Sequence, residues 1–287
     1  MSLALTDPEL SRLLRDDVPH GDLTTTALGL GAQGACLHFL ARQEMTLSAT
    51  EEAARLLVLV GAQVDMALPS GSRVGAHTLF LKAMGQASDL HRAWKVAQTL
   101  VEYASGLASA ASAIVQAVRA AGLNTPVACT RKHFPGTKAI AVKSVLAGGA
   151  VMHRLGLSET LLVFPEHRVF VPESELVMRL AQAKARNPEK KLVVEVCTVN
   201  EAVHMAHAGA EVIQLEKFSP SQVAECRAAL AGLGLQVCLA PAGGVTVANA
   251  VAYAQAGADV LVTSAPYFAP PADVKVVLQP AVAAEAS

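Results

Sequence analysis

A run of cationic residues directly follows an apolar segment in the middle of the chain. The letters VAC are followed by Thr130, Arg131, Lys132 and His133, and then by a Pro-Gly turn. A strand end that enters such a turn is held in place, so these cations are poorly explained as mobile surface charge. In βα barrels the active site lies at this end of the strands. The run therefore predicts a site for an anionic ligand.

A second basic pair, His153 and Arg154, follows two glycines. The planar guanidinium fork of arginine suits a carboxylate or a phosphate, and the histidine adds a donor. Together with the first run, Arg154 would complete a cage for an anion. The alternative is that Arg154 only forms an ion pair with Glu159 or Glu166.

Two carboxylates interrupt apolar strands near their carboxyl ends, Glu195 in VVEVC and Glu216 in IQLEK. A buried carboxylate is costly unless a cation or a metal accompanies it. Opposite a cationic cage, both suit Mg²⁺ held together with the oxygens of a phosphorylated substrate. A salt bridge to Lys217 or a neighbour is the alternative.

The segment 242–249 begins with the glycine turn Ala242-Gly243-Gly244, follows the strand LQVCLAP and is expected to open a helix. Backbone N–H groups at a helix N-terminus favour phosphate, and late barrel loops are the usual place for one. This turn predicts a phosphate site.

These residues must be positioned by alternating strands and helices. From about residue 127 the apolar runs VACT, TLLVF, KLVVEV, EVIQLE, LQVCLAP and DVLVTS are each separated by enough chain for a helix, which is typical of parallel strands. AGAEVIQLE and AGADVLVTS form a weak internal repeat. Because GxGxxG does not follow the first strand, an α/β barrel is favoured over a doubly wound sheet.

The first 90 residues indicate a separate α/β lid domain with an antiparallel sheet and one helix over residues 51–59. Residues 91–121 predict one long helix, rich in small residues, that packs within its own domain or forms a dimer. We therefore place the lid domain at 1–108 and the barrel at 109–274, and expect the tail 275–287 to pack on the lid.

The composition excludes several classes of protein. The 23 Lys and Arg nearly balance the 24 Asp and Glu, which leaves no global field for nucleic acid or an anionic membrane. Residues 228–258 lack charge, but a Pro-Ala-Gly-Gly segment breaks them, so they predict strand, turn and helix, and no membrane insertion. The five cysteines have no metal-type spacing and are expected to be buried thiols in a reducing cytoplasm.

These segments resemble the quinolinate phosphoribosyltransferase family over nearly the whole chain. The family carries ED-x-x-x-GD-x-TT, TRK-x-x-PG, GGG-x-NHR-x-GL, a VEV strand, an L-D-N-F strand end and an SGG turn. Here the opening is RDDVPHGDLTTT, and the spacing from Thr130 to Arg154 matches without a gap. The resemblance implies an open C-terminal α/β barrel with an N-terminal α/β sandwich, the type II phosphoribosyltransferase architecture.

The resemblance also implies a reaction and the residues that perform it. Phosphoribosyl pyrophosphate and a pyridine dicarboxylate give a ribonucleotide, pyrophosphate and carbon dioxide. The roles it implies are acceptor carboxylate binding by Arg131, His153 and Arg154, donor and Mg²⁺ binding by Lys132, Glu195 and Glu216, and phosphate binding by Gly243, Gly244 and Ser264. Thr130, Ala242 and Phe164 join them in the expected substrate site.

The departures from the family point to a different acceptor. A substrate-facing lysine of the family becomes Phe164 in VFPEH, its Asp-Asn pair becomes Glu216 and Lys217, and the third glycine of GGG is Ala150. Lys95 stands where the family places an arginine from the partner subunit, which implies a homodimer with sites at the interface. The changes resemble the family's ModD branch, found among molybdenum-transport genes.

We therefore expect a Mg²⁺-dependent phosphoribosyltransferase with an aromatic, carboxylate-bearing acceptor and a link to molybdenum metabolism. One alternative is the carboxylating quinolinate enzyme of NAD biosynthesis. The other is a non-catalytic binder of an oxyanion or nucleotide, although such a protein would not need two buried carboxylates.

Overall fold

A computed structural model of the chain describes residues 2–281, and these form two compact units. The first unit contains the residues up to Ser112, Phe134–Gly149 and the residues from Pro266 onward. The second contains Ala113–His133 and Ala150–Ala265. The predicted boundary is a single division of the chain after residue 108. The two units are instead each made of segments that are separate in sequence.

The elements of the described chain follow in sequence order. The helices are α1 (Asp7–Asp17), α2 (Leu23–Ala27), α3 (Thr50–Leu59), α4 (Ala87–Ala120), α5 (Lys138–Ala147), α6 (Pro165–Arg168), α7 (Glu173–Arg186), α8 (Val199–His207), α9 (Pro220–Gly232) and α10 (Ala250–Gln255). The strands are β1 (Gly34–Ala41), β2 (Met45–Thr46), β3 (Gln63–Ala67), β4 (Arg73–Val74), β5 (Leu79–Gln86), β6 (Val127–Cys129), β7 (Val151–Met152), β8 (Leu161–Val163), β9 (Leu192–Val196), β10 (Val212–Glu216), β11 (Cys238–Ala242), β12 (Leu261–Thr263) and β13 (Val274–Pro280).

The second unit contains seven short parallel strands that follow one another in chain order. One sheet has the order β11-β10-β9-β8 and the other β12-β6-β7. The two sheets are joined where the N–H groups of Asp259 and Val260 donate to the Leu239 carbonyl, at 2.9 and 3.3 Å. No strand pairing of the described chain connects β7 to β8, so the ring is open there. This arrangement confirms the predicted open α/β barrel and adds β7, which is too short to show a hydrophobic pattern.

The barrel strands are apolar because both of their faces are covered. In β9 every residue but Glu195 is buried, and in β10 the interior residues are buried as well. Helix α8 is capped by Thr198, whose hydroxyl accepts from the Glu201 N–H at 3.1 Å, and α9 is capped by Ser219 in a capping box. These caps fix where each strand ends and where its loop begins.

The first unit contains the antiparallel sheet predicted for the N-terminal region, with the order β13-β1-β5-β3. Alternate residues of β1 are buried, as expected for a sheet with one face on a core. Helix α3 matches the predicted helix, whereas α1 and α2 were not predicted. Strand β13 pairs with β1 and lies in the tail expected to pack on this sheet; residues 282–287 of that tail lie outside the described chain.

Helix α4 begins four residues before the predicted helix and ends one residue earlier. Its small residues let neighbouring segments of the same unit approach closely. A Cβ at Gly106 would lie 2.3 Å from the carbonyl oxygen of Pro270. Ala104 and Ala108 are buried in the same way. Packing within the chain is therefore sufficient to explain this part of the small-residue run.

A buried ion cluster ties α3 to α5 in the first unit. The ammonium of Lys143 donates to both carboxylate oxygens of the fully buried Glu52, at 2.8 and 2.6 Å, and lies 2.8 Å from Glu51. Burial alone would raise the pKa of Glu51, but hydrogen bonds from Lys143 and Ser70 outweigh it and lower the pKa to about 2. The cluster thus holds one ammonium against two carboxylates, and Ser70 and the Ala4 N–H supply further hydrogen bonds to them.

The cysteines differ in their exposure to solvent. Cys129 and Cys226 are buried as expected, but Cys197 is exposed because it follows β9 at the strand's carboxyl end. The expectation that all five are buried was therefore wrong.

None of the helices within residues 2–281 has the length and hydropathy needed to cross a membrane.

Candidate active site

The carboxyl ends of the seven barrel strands carry nearly all the residues predicted for the site. The residues at these ends are Thr130, Arg131 and Lys132 after β6, His153 and Arg154 after β7, Phe164 after β8, Glu195 in β9, Glu216 in β10, Ala242, Gly243 and Gly244 at β11, and Ser264 after β12. Parallel strands present their carboxyl ends at one edge. Lys95 is the exception: it lies on α4 in the first unit, where its ammonium donates to Gln98 at 3.1 Å.

Arg154 is a buried cation, with 8% of its surface exposed. No carboxylate of the described residues lies within ion-pair distance of it, so the alternative of a structural pair with Glu159 or Glu166 is not observed. The Glu159 carboxylate instead accepts the N–H of Leu155. Burial lowers the pKa of Arg154, the nearby charge of Arg131 lowers it further, and the opposing effect of the Glu159 charge is too small to offset them. An anion between the two guanidinium groups would relieve both effects.

Phe164 forms one wall beside this cation. The guanidinium carbon of Arg154 lies 5.7 Å from the centre of the Phe164 ring, a cation–π contact across the opening between β7 and β8. The ring also stacks on His167, with centroids 5.8 Å apart and an angle of 16° between the planes. The Phe164 N–H donates to Nδ1 of His167 at 2.9 Å. The aromatic ring is therefore held from two sides.

His153 connects this wall to the first strand of the barrel. The backbone N–H of His153 donates to the carbonyl of Cys129 at 2.9 Å, next to the exposed Arg131 and Lys132. Burial lowers the pKa of His153, and the charge of Arg154 adds to the effect. Because its ordinary value is 6.5, the imidazole is neutral at pH 7 and acts as a hydrogen-bonding group.

Glu195 on β9 lies opposite Gln214 of β10, and Glu216 stands two residues further along β10. Burial raises the pKa of Glu195, and the charges of Glu216 and then Glu166 raise it further. Glu195 accepts a hydrogen bond from the Gln214 amide. Glu195 and Glu216 form no ion pair within residues 2–281, so the salt-bridge alternative is not observed. A cation between these carboxylates would cancel their repulsion.

The donor set agrees with Mg²⁺, which prefers carboxylate, water and phosphate oxygens. Among the described residues no group of three His, Cys, Asp or Glu side chains is arranged to hold a metal ion alone. The protein would therefore supply only part of the coordination, and substrate oxygens and water the rest.

Arg168 is a residue of the site that the sequence analysis missed. Its guanidinium donates to the carbonyl of Glu195 at 3.2 Å and lies 3.5 Å from the Glu201 carboxylate, while its Nε has no hydrogen-bond partner. It thereby connects the end of β9 to α8. The signal in the sequence was weak, because a single arginine on a four-residue helix has no characteristic spacing.

The glycine turn is shaped by Glu216. Gly243 and Gly244 have φ angles of 79° and 134°, and a Cβ on Gly243 would lie 2.7 Å from a carboxylate oxygen of Glu216. Only glycine fits there without moving that carboxylate. The N–H groups of Gly243 and Gly244 have no backbone acceptor within the described chain. Two adjacent free N–H groups can bind an anion.

The segment 242–249 leads into a helix as expected, with Asn249 as the N-cap residue, but the two glycines do not stand at the helix N-terminus. Helix α10 starts only at Ala250, because the positive φ angles are not helical. Two residues that sequence reasoning did not assign hold the turn. Asn249 accepts the Thr246 N–H at 2.8 Å and donates to the Gly244 carbonyl at 2.9 Å, and the buried Thr263 hydroxyl donates to the Val245 carbonyl at 2.7 Å.

Comparisons with known proteins agree with this geometry. Residues 22–105 match the N-terminal and residues 107–277 the C-terminal domain of quinolinate phosphoribosyl transferase. ModD of Rhodobacter capsulatus, provisionally named a pyrophosphorylase, is 50% identical over 86% of this chain and 95% of its own. The human carboxylating nicotinate-nucleotide pyrophosphorylase is 31% identical over 82% of this chain and 78% of its own.

Solved structures share the fold. The crystal structure of NadC from Streptococcus pyogenes superimposes with a TM-score of 0.87, at 24% identity, and covers 98% of this chain and 100% of its own.

Proposed function

Since the chain belongs to the quinolinate phosphoribosyl transferase family, we propose that it transfers the phosphoribosyl group of phosphoribosyl pyrophosphate to an aromatic acceptor that carries a carboxylate. The observation that carries the proposal is the division of one barrel edge into two parts. The buried Arg154, without an ion pair within residues 2–281, lies beside Phe164, whereas Glu216 lies against the glycine turn and its charge reaches Glu195. The first part suits an aromatic acid and the second a phosphorylated donor.

Catalysis would rest on position and charge. The bond between C1 of the ribose and the pyrophosphate oxygen breaks with its electron pair leaving on the pyrophosphate, while the acceptor donates an electron pair to C1. Arg131 and Arg154 would hold the acceptor carboxylate, and Lys132 would stabilise the charge of the leaving group. The neutral His153 would donate a hydrogen bond to the acceptor. No side chain has to act as a nucleophile.

Glu195 and Glu216 would hold Mg²⁺ together with oxygens of the donor. When bound, the ion supplies positive charge to the departing pyrophosphate. The position of the Gly243 backbone keeps the Glu216 carboxylate at the strand end, and Arg168 fixes the backbone carbonyl of Glu195.

The direct test is release of pyrophosphate from phosphoribosyl pyrophosphate and Mg²⁺ in the presence of a panel of heteroaromatic acids. We expect release with an acceptor that carries one carboxylate. Release only with quinolinate would favour the carboxylating enzyme of NAD biosynthesis, the activity that the human relative's name states. No release with any acceptor, but binding of a nucleotide, would identify a non-catalytic binding protein.

The similarity to ModD supports a role in molybdenum metabolism or transport. A strain that lacks the gene should then need more molybdate for growth that depends on a molybdenum enzyme. The free cysteines of the described chain suit a reducing cytoplasm, which is where we place the enzyme.

We further propose a homodimer in which Lys95 completes the partner's site. Lys95 is exposed, and its ammonium donates to Gln98 and lies 5.4 Å from the centre of the Trp94 ring. Chains with Lys95→Ala and chains with Arg131→Ala should each be inactive, and a mixture should regain part of the activity because one site of the hybrid keeps both residues. Subunits that exchange but stay inactive would contradict this arrangement.

A further inference from the structure

Lys217 has a backbone conformation that side chains rarely adopt. Its φ angle is 57°, in the left-handed region, and only two other non-glycine residues of the described chain, Ala49 and His77, share this property. In this region the Cβ of an L-residue crowds the following carbonyl, so glycine or asparagine is favoured. A lysine here therefore needs an explanation.

The surrounding structure imposes this conformation on whichever residue stands at position 217. The Lys217 N–H donates to the carbonyl of Ala242 at 2.8 Å, which holds the turn to the neighbouring strand. The next residue, Phe218, is 2% exposed, and its carbonyl accepts the hydroxyl of Tyr253 at 2.7 Å. With both sides of the turn fixed, the backbone cannot relax.

The side chain of Lys217 leaves this turn next to the groups proposed to hold the donor. Glu216 precedes it and pairs in register with Ala242, so Lys217 lies beside the start of the glycine turn. Lys217 is exposed, and its ammonium forms no hydrogen bond or ion pair within residues 2–281. The free N–H groups of Gly243 and Gly244 lie at the same strand ends.

We propose that Lys217 is a donor-binding residue, whose ammonium contacts a phosphate or diphosphate group of the phosphorylated substrate. Strain at a single residue persists at sites where the side chain is needed. An ammonium adds to the two free N–H groups a charge that a neutral residue could not supply. The inference rests on the proposed function and deepens it by assigning a second lysine, besides Lys132, to the donor.

The test separates strain from charge. Lys217→Asn suits the left-handed conformation and removes the charge, whereas Lys217→Arg keeps both the charge and the strain. We expect Lys217→Asn to raise the Tm by about 1–3 °C. It should weaken binding of inorganic pyrophosphate or ribose 5-phosphate about tenfold or more, as for a lost charge-assisted hydrogen bond. Lys217→Arg should retain binding within about threefold.

A matched control is available in the first unit. His77 is exposed, has a φ angle of 67°, and its N–H donates to the carbonyl of Ala41 at 2.7 Å, as in the turn at Lys217. His77→Asn should raise the Tm to a similar extent and leave the binding of both probes unchanged.

Calorimetry with the two probes in the presence of Mg²⁺ assigns the contact. Loss of pyrophosphate affinity alone places Lys217 at the diphosphate, and loss of ribose 5-phosphate affinity alone places it at the other phosphate. If the unchanged protein binds both probes and Lys217→Asn binds them equally well, the inference about Lys217 is overturned and the proposed function stands. If the unchanged protein binds neither probe nor phosphoribosyl pyrophosphate, the proposed function itself fails.

Discussion

Replacing Arg154 by methionine should stabilise the protein and disable it. Arg154 is 8% exposed and has no ion pair within the described chain, and burial and the charge of Arg131 lower its pKa despite the opposing charge of Glu159. A lowered pKa means that the charged form of the arginine is less stable in the folded chain than in the unfolded chain. At neutral pH the arginine is charged in both states, so it shifts the equilibrium toward unfolding. Methionine has a similar length and no charge.

The magnitude follows from two opposing terms. A buried polar or charged group without partners costs about 1–3 kcal/mol, and the substitution by methionine removes this cost. The cation–π contact with the Phe164 ring, at 5.7 Å, is worth about 0.5–1 kcal/mol and is lost. The net gain is about 1 kcal/mol, which raises the Tm of a chain of this size by roughly 2–4 °C.

Activity should change in the opposite direction. Each hydrogen bond to a charged carboxylate is worth about 1.5–3 kcal/mol. Loss of the Arg154 guanidinium should therefore lower kcat/KM for the acceptor about tenfold to a hundredfold. The Kd of the donor should stay the same. Thermal unfolding and steady-state kinetics with the acceptor found by the pyrophosphate assay measure both effects.

Arg227 in the same unit is the matched control. Its guanidinium donates to the Gly257 carbonyl at 2.7 Å and pairs with Asp259. Arg227→Met should therefore lower the Tm and leave the acceptor KM unchanged, the reverse of Arg154→Met. A fall in Tm for Arg154→Met similar to that for Arg227→Met would refute the reasoning, because it would mean that Arg154 has partners in the folded state. An unchanged acceptor KM would remove Arg154 from the acceptor site.

Three further predictions concern specificity, metal and acid. Phe164→Lys should raise kcat/KM for quinolinate at least tenfold by providing a partner for its second carboxylate, while Phe164→Leu should not; efficient quinolinate turnover by the unchanged protein would contradict this. Glu216→Gln should raise the Mg²⁺ concentration needed for half-maximal activity and weaken donor binding more than acceptor binding, and an unchanged Mg²⁺ dependence would leave Glu216 with a structural role only. The pKa of Glu51 is about 2 against an ordinary 4.5, so its stabilising contribution is complete above pH 4.5 and disappears as the pH falls toward 2. When the free energy of unfolding is measured against pH, Glu51→Gln should lose less of it between pH 4.5 and 2 than the unchanged protein. The same pH dependence in both proteins would show that Glu51 does not contribute.

The sequence alone determined the barrel and the residue types at its edge. Buried parallel strands are continuous apolar runs, so the six longer ones were visible, and a charge that interrupts such a run, as Glu195 and Glu216 do, stands out because burial makes it costly. The cationic run at Arg131 was equally visible because it follows a strand directly. These signals are local, and each depends on at most a few neighbouring residues.

Only the tertiary structure decided which of these groups have partners. Whether Arg154 pairs with Glu159 or stays available depends on the path of the loop between β7 and β8, and no spacing encodes that path. The contact of Arg168 with the Glu195 carbonyl and the constraint that Glu216 places on Gly243 each join segments that are distant in sequence. The left-handed backbone at Lys217 arises from a hydrogen bond to the neighbouring strand, so a lysine that reads as ordinary surface charge becomes a strained residue at the site only after the strands have paired.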